Sequence, residues 1–279
     1  METLSKTFTI GDTLEVNRIG LGTMRATTGA GSWGEPADRQ AVIKLIRKAY
    51  ELGVNFFDTA DAYGPGCSEL ILAEAIEPFK KQVIVGTKGG SVKYAPGKMF
   101  ASGKPGYLKT TVEASLRRLN IETIDLYQLD HVDPEVPIEE SVWMLACLKK
   151  QGKIREIGLS NIKPDQLRLA QGITRIASVQ NSLSIANQTH LKLAQICATD
   201  NIAFIAYCPT GMFDGEKSAT YQQKASEMGI TLPQLSLFWL LKKSPNIIPI
   251  PGTSSEKHLQ ENLAVWEMIP SFMNQATLK

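Results

Sequence analysis

The feature that most constrains this chain is an alternation. Eight short apolar runs, at residues 18–21, 55–58, 83–87, 124–129, 154–159, 177–180, 202–207 and 247–250, are separated by loops and by segments of helical period. Near-continuous hydrophobicity over so few residues suits strands buried on both faces, as in a parallel sheet. Between them, residues 38–52 place Val42, Leu45, Ile46 and Ala49 at i, i+3, i+4 and i+7, one helical face. Residues 68–76, 107–119, 138–150, 163–170, 190–199, 232–241 and 255–265 give further helices. Ahead of the first run, residues 7–10 and 14–16 flank Gly11-Asp12 and predict a β-hairpin. Eight strands each followed by a helix predict a closed (β/α)8 TIM barrel, an α/β fold of about 250 residues. The alternative, an open doubly wound sheet, wants a glycine-rich turn and then a helix after its first strand. Gly20-Leu21-Gly22-Thr23-Met24 lacks the third glycine and runs into a long loop. No linker or shift in composition divides the 279 residues, so one domain over 1–279 is expected.

Composition narrows the function. Thirty basic and 28 acidic residues are interspersed, a net charge of +2 without a basic stripe. Nucleic acid and acidic membrane surfaces are therefore not expected as partners. No apolar run reaches bilayer-spanning length, and residues 1–6 carry no secretory signal. Cys67, Cys147, Cys197 and Cys208 lie far apart with no CxxC, and His131, His190 and His258 are scattered. A reduced cytoplasmic protein without a metal site is the expectation.

In such a barrel the active site lies at the C-terminal strand ends. There the second run ends in Asp58 and continues to Tyr63, the third reaches Lys88, and the fourth leads to His131. Each has a bland reading taken alone: a capping Asp, a rim Tyr, a solvated Lys, a His bonded to its turn. All four at the mouths of consecutive strands suggest one site, with Asp58 as the partner a buried Lys88 would need.

The combination suits carbonyl reduction. A phenol has an ordinary pKa near 10, too high for efficient proton exchange at neutrality, and a neighbouring ammonium is expected to lower it. Tyr63 would then give a proton to the substrate oxygen, with His131 donating a hydrogen bond where negative charge develops. Two other readings stay open: a barrel aldolase using Lys88 as a Schiff-base nucleophile, and a non-catalytic nicotinamide-binding regulatory subunit.

The stretch from Gly53 to Gly64, Gly-Val-Asn-Phe-Phe-Asp-Thr-Ala-Asp-Ala-Tyr-Gly, resembles the signature of the aldo-keto reductases. Gly20-Leu21-Gly22-Thr23-Met24, the run from Gly152 to Asn161, Val179-Gln180-Asn181, Tyr207-Cys208-Pro209 and Ile250-Pro251-Gly252-Thr253-Ser254 extend the resemblance over nearly the whole chain. The hairpin and the Pro-Gly-Thr-Ser-Ser ending are most similar to bacterial pyridoxal reductases. The resemblance implies that Asp58, Tyr63, Lys88 and His131 form the catalytic tetrad and that NADP(H) is the cofactor. It implies that Gly22, Thr23, Met24 and Asp58 lie beside the nicotinamide end. Ser160, Asn161 and Gln180 would hold the carboxamide, and Tyr207 would stack on the ring. Cys208, Pro209, Thr210 and Gly211 would face the pyrophosphate, and Gly252, Thr253, Ser254, His258, Glu261 and Asn262 the adenosine. The implied partner is a small-molecule carbonyl compound, pyridoxal or another aromatic aldehyde; oligomeric state is left open, monomer included.

Three departures bear on this. Ile162 stands where many members carry an aromatic residue, so a changed pocket wall is expected. Glu256 puts an anion at the adenosine end, offset by Lys257. The tail after Asn262 is short, which leaves substrate selection to residues 25–36, 89–106 and 212–217, with Trp33 a candidate wall.

Overall fold

The computed structural model describes residues 4–27, 32–211 and 216–272. Chain order begins with a hairpin, β1 (Thr7–Ile10) and β2 (Leu14–Asn17), paired antiparallel. Eight parallel strands follow as neighbours in sequence order: β3 (Leu21–Gly22), β4 (Phe56–Asp58), β5 (Ile84–Gly89), β8 (Ile124–Leu129), β9 (Ile154–Ser160), β10 (Ser178–Ser182), β11 (Ala203–Tyr207) and β12 (Ile247–Pro249). The Gly20 N–H donates to the Pro249 carbonyl at 3.0 Å, joining the first strand region to the last and closing the barrel.

That seam explains the one displaced strand. Residues 18–21 read as strand, yet the ladder contains only Leu21–Gly22. A Cβ on Gly20 would lie 2.8 Å from the Phe56 ring and 2.9 Å from its carbonyl, so only glycine lets the chain cross there. Arg18 is turned inward and is fully buried. Its guanidinium donates to the carbonyls of Leu241, Ser244 and Ile247, where the helix before the last strand ends. Burial lowers its pKa to about 10, and these carbonyls supply the partners that water would.

Within the barrel, side chains alternate with period two. Phe56, Leu126, Ile205 and Ile248 fill the lower interior, and Ile10, Leu14 and Val16 of the hairpin plug its base. The layer above them is polar, and it carries the site. Gly86 and Gly158 leave room at this junction: a Cβ on Gly158 would fall 2.2 Å from Ser178 Oγ.

The helices are α1 (Arg39–Glu51), α2 (Cys67–Ile76), α3 (Pro105–Leu119), α4 (Ile138–Lys150), α5 (Pro164–Gln171), α6 (Leu191–Thr199), α7 (Glu216–Glu227), α8 (Leu232–Lys243), α9 (Glu256–Leu263) and α10 (Val265–Phe272). Asp38 caps α1 by accepting from the Ala41 N–H at 2.9 Å. The face that α1 buries is Ile43, Ile46 and Ala49, so the expected stripe is rotated and Val42 and Leu45 are only partly covered. Sequence periodicity missed α7 and a second hairpin, β6 (Ser91–Ala95) with β7 (Lys98–Ala101). Tyr94, Met99 and Phe100 of this hairpin are exposed; Ser91-Val92-Lys93-Tyr94 alternates polar and apolar, but Lys98-Met99-Phe100-Ala101 does not.

Arg18→Met is expected to lower stability by about 3 kcal/mol, because the carbonyls of Leu241, Ser244 and Ile247 lose a charged donor. Denaturant unfolding followed by circular dichroism checks it, and a midpoint equal to that of the parent would contradict this role for Arg18.

Candidate active site

Lys88, on β5, has 1% of its surface exposed and lies at the centre of the polar layer. Its ammonium donates to Asp58 Oδ2 at 2.5 Å, to the Thr59 carbonyl at 2.8 Å and to the Tyr63 hydroxyl at 3.4 Å. Burial alone would favour the neutral amine, but Asp58, helped by Asp130, holds Lys88 charged and above the usual lysine range. The second oxygen of Asp58 accepts from the amides of Gln180 at 2.8 Å and Gln128 at 3.1 Å. Every strong acceptor site on the ion pair is thus met from neighbouring strands. An amine so held is charged and has no lone pair to offer a carbonyl, which removes the ground for a Schiff-base lysine.

Tyr63 stands half-buried on the loop after β4, with the ammonium 5.0 Å from its ring centroid. The expectation of a lowered phenol pKa is reversed in the balance. Burial pushes Tyr63 up to about 12, Lys88 pulls the other way, and Asp58 and Asp130 offset much of that pull. The phenol is therefore held protonated at neutral pH.

His131, half-buried at the mouth, places Nδ1 3.0 Å from Ser91 Oγ and 3.7 Å from Asp130. Burial disfavours ionisation of Asp130, yet the neighbouring His131, Lys88 and Ser91 outweigh it and hold the carboxyl below its usual range.

These groups open on a cavity of about 550 Å³. Of the residues singled out from sequence, its walls contain Gly22, Met24, Asp58, Tyr63, Lys88, His131, Ser160, Asn161, Gln180, Tyr207, Cys208, Pro209, Thr210, Gly211 and Gly252. Asn161 and Cys208 both sit at positive φ, 56° and 49°, on its rim. The turn at Asn161 lets its amide donate to the Asp130 carbonyl at 3.0 Å while its oxygen accepts from the Tyr207 hydroxyl at 2.8 Å. Thr23 is instead buried, its hydroxyl against the Asp58 carbonyl and Ser68 Oγ. Thr253 and Ser254 line an adjoining hollow beside α1. His258, Glu261 and Asn262 lie outside the main cavity on α9, with Asn262 buried, His258 exposed and Lys257 3.8 Å from Glu261.

Two expectations about the walls need correction. Ile162 is buried in the core behind the barrel and its N–H donates to Asn181, so it forms no part of the cavity. Trp33 is not among the lining residues; Lys93 and Met99 of the β6–β7 hairpin are. Residues 28–31 and 212–215 of the expected selecting loops lie outside the described residues. Sequence reasoning missed Gln128 and Ser91. Gln128 carried a readable signal, an amide in the penultimate position of the run 124–129; Ser91 carried none.

Among the described residues, no helix is long and apolar enough to cross a membrane, and no cluster of His, Cys, Asp or Glu is arranged to hold a metal ion. Comparison with known proteins adds the context. The Aldo/keto reductase family matches residues 18–275. An uncharacterized oxidoreductase of Schizosaccharomyces pombe is 40% identical over 92% of this chain and 83% of its own length. A pyridoxine 4-dehydrogenase of Escherichia coli is 38% identical over 93% of this chain and 92% of its own. A Klebsiella pneumoniae aldo/keto reductase, solved in complex with NADP and acetate, superposes with a TM-score of 0.79 at 26% identity, covering 94% of this chain and 90% of its own. With a closed barrel, a buried Asp58–Lys88 pair beside Tyr63, and a match spanning nearly the full sequence, the chain belongs to the aldo/keto reductase family.

Proposed function

We propose that this protein reduces an aldehyde to the alcohol with NADPH, using Tyr63 as proton donor, and that pyridoxal is its preferred substrate. As a member of its family it is an NADP-dependent oxidoreductase acting on a small carbonyl compound. The observation that carries the residue assignment is the Lys88 ammonium shared between Asp58 and the Tyr63 hydroxyl at one end of a cavity.

The residues fit the cofactor. Gly22 and Gly252 approach so closely that a Cβ on Gly252 would lie 3.0 Å from the Gly22 carbonyl, which keeps the groove floor bare. Tyr207 presents a half-exposed ring, and Ser160, Asn161 and Gln180 present amide and hydroxyl groups beside it. Ser254, Ser255 and the first turn of α9 offer donors to a 2′-phosphate at a helix N-terminus. His258, Glu261, Asn262, Thr23 and Thr253 complete the proposed nucleotide contacts.

NADPH, when bound, supplies the hydride to the carbonyl carbon. The Tyr63 O–H bond breaks as its proton passes to the carbonyl oxygen. Lys88 stabilises the tyrosinate left behind, and a solvent proton later restores the phenol. His131 serves as the second donor, its ring oriented at the mouth by Ser91 Oγ, 3.0 Å from Nδ1. Protonated donors aimed at a developing oxyanion are worth most in a site that excludes water.

For the substrate, the support is the 38% identity to a pyridoxine 4-dehydrogenase together with the make-up of the cavity. Dehydrogenation of the hydroxymethyl group carried on ring carbon 4 of pyridoxine is the reverse of pyridoxal reduction. Met24, Met99 and Tyr63 give a flat ring apolar walls, while Lys93 and Asp130 offer a cation and an anion to ring substituents. All four cysteines are free thiols, which suits a reducing cytoplasm. The whole chain acts as one barrel unit.

Tyr63→Phe removes only the hydroxyl, so NADPH affinity by fluorescence titration should be unchanged while kcat falls roughly 10²- to 10⁴-fold. Turnover close to that of the parent would refute the assignment, and absence of any turnover in the parent would favour a regulatory subunit. For the substrate, kcat/KM for pyridoxal should exceed that for benzaldehyde and short aliphatic aldehydes by about tenfold or more. Equal values would leave a general carbonyl reductase.

A further inference from the structure

Behind the loop that carries Tyr63 lies a charged cluster that the reaction scheme does not use. Arg118, in the last turn of α3, donates through Nη2 to Asp61 Oδ1 at 2.5 Å and through Nε to Glu69 Oε2 at 2.6 Å. Asp61 stands two residues before Tyr63. Its own N–H donates to the Lys88 carbonyl at 2.9 Å, and its carbonyl accepts from the Gly66 N–H at 2.8 Å. Glu69, in the first turn of α2, is fully buried, and its other oxygen accepts from Thr87, the residue before Lys88, at 2.6 Å. One guanidinium therefore ties both ends of the Tyr63 loop to each other and, through Thr87, to the strand that carries the ammonium. Gly66, at φ +81°, lets the loop lie directly on this guanidinium: a Cβ there would be 2.7 Å from Arg118 Cδ.

We propose that Arg118 is a positioning residue for proton transfer: by clamping Asp61 and Glu69 it fixes the distance between the Tyr63 hydroxyl and the Lys88 ammonium. The inference rests on the role given to Tyr63 above. Three charges sharing a largely desolvated site is a costly way to join a helix to a loop, since apolar packing of the same volume is often as stable or more so. What the planar fork supplies, and apolar packing does not, is a fixed orientation of two carboxylates at once. The Tyr63–Lys88 contact, at 3.4 Å, is the longest of the ammonium's three hydrogen bonds and so the one most open to drift.

The clamp also has a pH signature. The groups facing Asp61 are Arg118, Glu69, Asp130, Tyr107 and Tyr127. Burial, against Arg118 and with Glu69 and Asp130, pushes the Asp61 carboxyl up to about 6. As pH falls through that value Asp61 takes up a proton, its pairing with Arg118 weakens, and turnover drops.

The test is Asp61→Asn, which keeps size and hydrogen-bonding capacity but not charge. Steady-state reduction of one aldehyde is followed over the acid and neutral range, beside NADPH affinity by fluorescence titration. The expected result is a kcat about tenfold to a hundredfold lower at neutral pH, NADPH affinity unchanged, and loss of the acid limb that the parent shows near pH 6. Arg118→Lys, which keeps charge but not the fork, is expected to lower kcat in the same assay, and it decides the matter should Asp61→Asn not fold. Unchanged kcat in a folded variant, or a fall matched by an equal loss of NADPH affinity, overturns the clamp. If Tyr63→Phe is inactive and Asp61→Asn is not, only this proposal fails; if Tyr63→Phe retains turnover, both fail.

Discussion

The structure turns on a buried ion pair. Placing Lys88 and Asp58 inside a barrel is expensive unless both charges are matched and their remaining hydrogen-bonding capacity is met. The matching is not local. Asp58 comes from β4, Lys88 from β5, Gln128 from β8 and Gln180 from β10, so four strands spread around the barrel must hold register for one carboxylate to be satisfied. A parallel sheet closed on itself provides this, because each strand's C-terminal residues arrive at one end and alternate residues point inward. The apolar layer of Phe56, Leu126, Ile205 and Ile248 below keeps water from the pair's other side. Closure in turn depends on small residues where backbones converge, Gly20 at the seam and Gly22 against Ile250.

Above this layer the site becomes progressively wetter, and the groups change character accordingly. Lys88 and Asp58 are sealed, Tyr63 is half-buried, and His131 reaches the mouth with about 40% of its side chain exposed. A proton taken from Tyr63 can therefore be replaced from solvent while the charge that governs its affinity stays protected from screening. Asp130 bridges the two zones. It is close enough to Lys88 to feel its charge and lies beside Ser91 and His131 at the mouth. The β6–β7 hairpin brings Ser91 to His131 and Lys93 and Met99 to the cavity wall, so one insertion after β5 both orients a candidate donor and shapes the substrate side.

Much of this was legible in the chain because it depends on short-range pattern. The strand runs, the strand-end positions of Asp58, Lys88 and His131, and the N-terminal hairpin follow from period and turn chemistry, which are local; that the hairpin plugs the barrel base does not. Contacts set by closure were not. Nothing near Thr23 in sequence says that its hydroxyl turns to Ser68, and nothing near Ile162 says that it packs outward into the helical layer. The net shift of Tyr63 was misread for a related reason. The charge of Lys88 was foreseeable, but how much Asp58, Asp130 and burial would offset it is decided by three-dimensional proximity. Hairpin β6–β7 is harder to read because it has little to bury: the alternation of Ser91-Val92-Lys93-Tyr94 is short, and Lys98-Met99-Phe100-Ala101 does not continue it.

The high proton affinity of Tyr63 bears on the direction of chemistry. A phenol with a pKa near neutrality would be half ionised; one pushed up to about 12 is almost wholly protonated, the state that the proposed proton donor needs. During reduction, hydride addition builds an alkoxide, a far stronger base than any tyrosinate, so a raised phenol pKa still leaves the transfer downhill. The same shift penalises oxidation, which must begin from the tyrosinate. The penalty is smallest where Lys88 comes closest to the hydroxyl, and that distance is set by the loop that Asp61, Gly66 and Glu69 pin to Arg118. Burial of the phenol and the reach of the ammonium therefore act on its proton affinity in opposite senses, and the pinned loop sets where they balance.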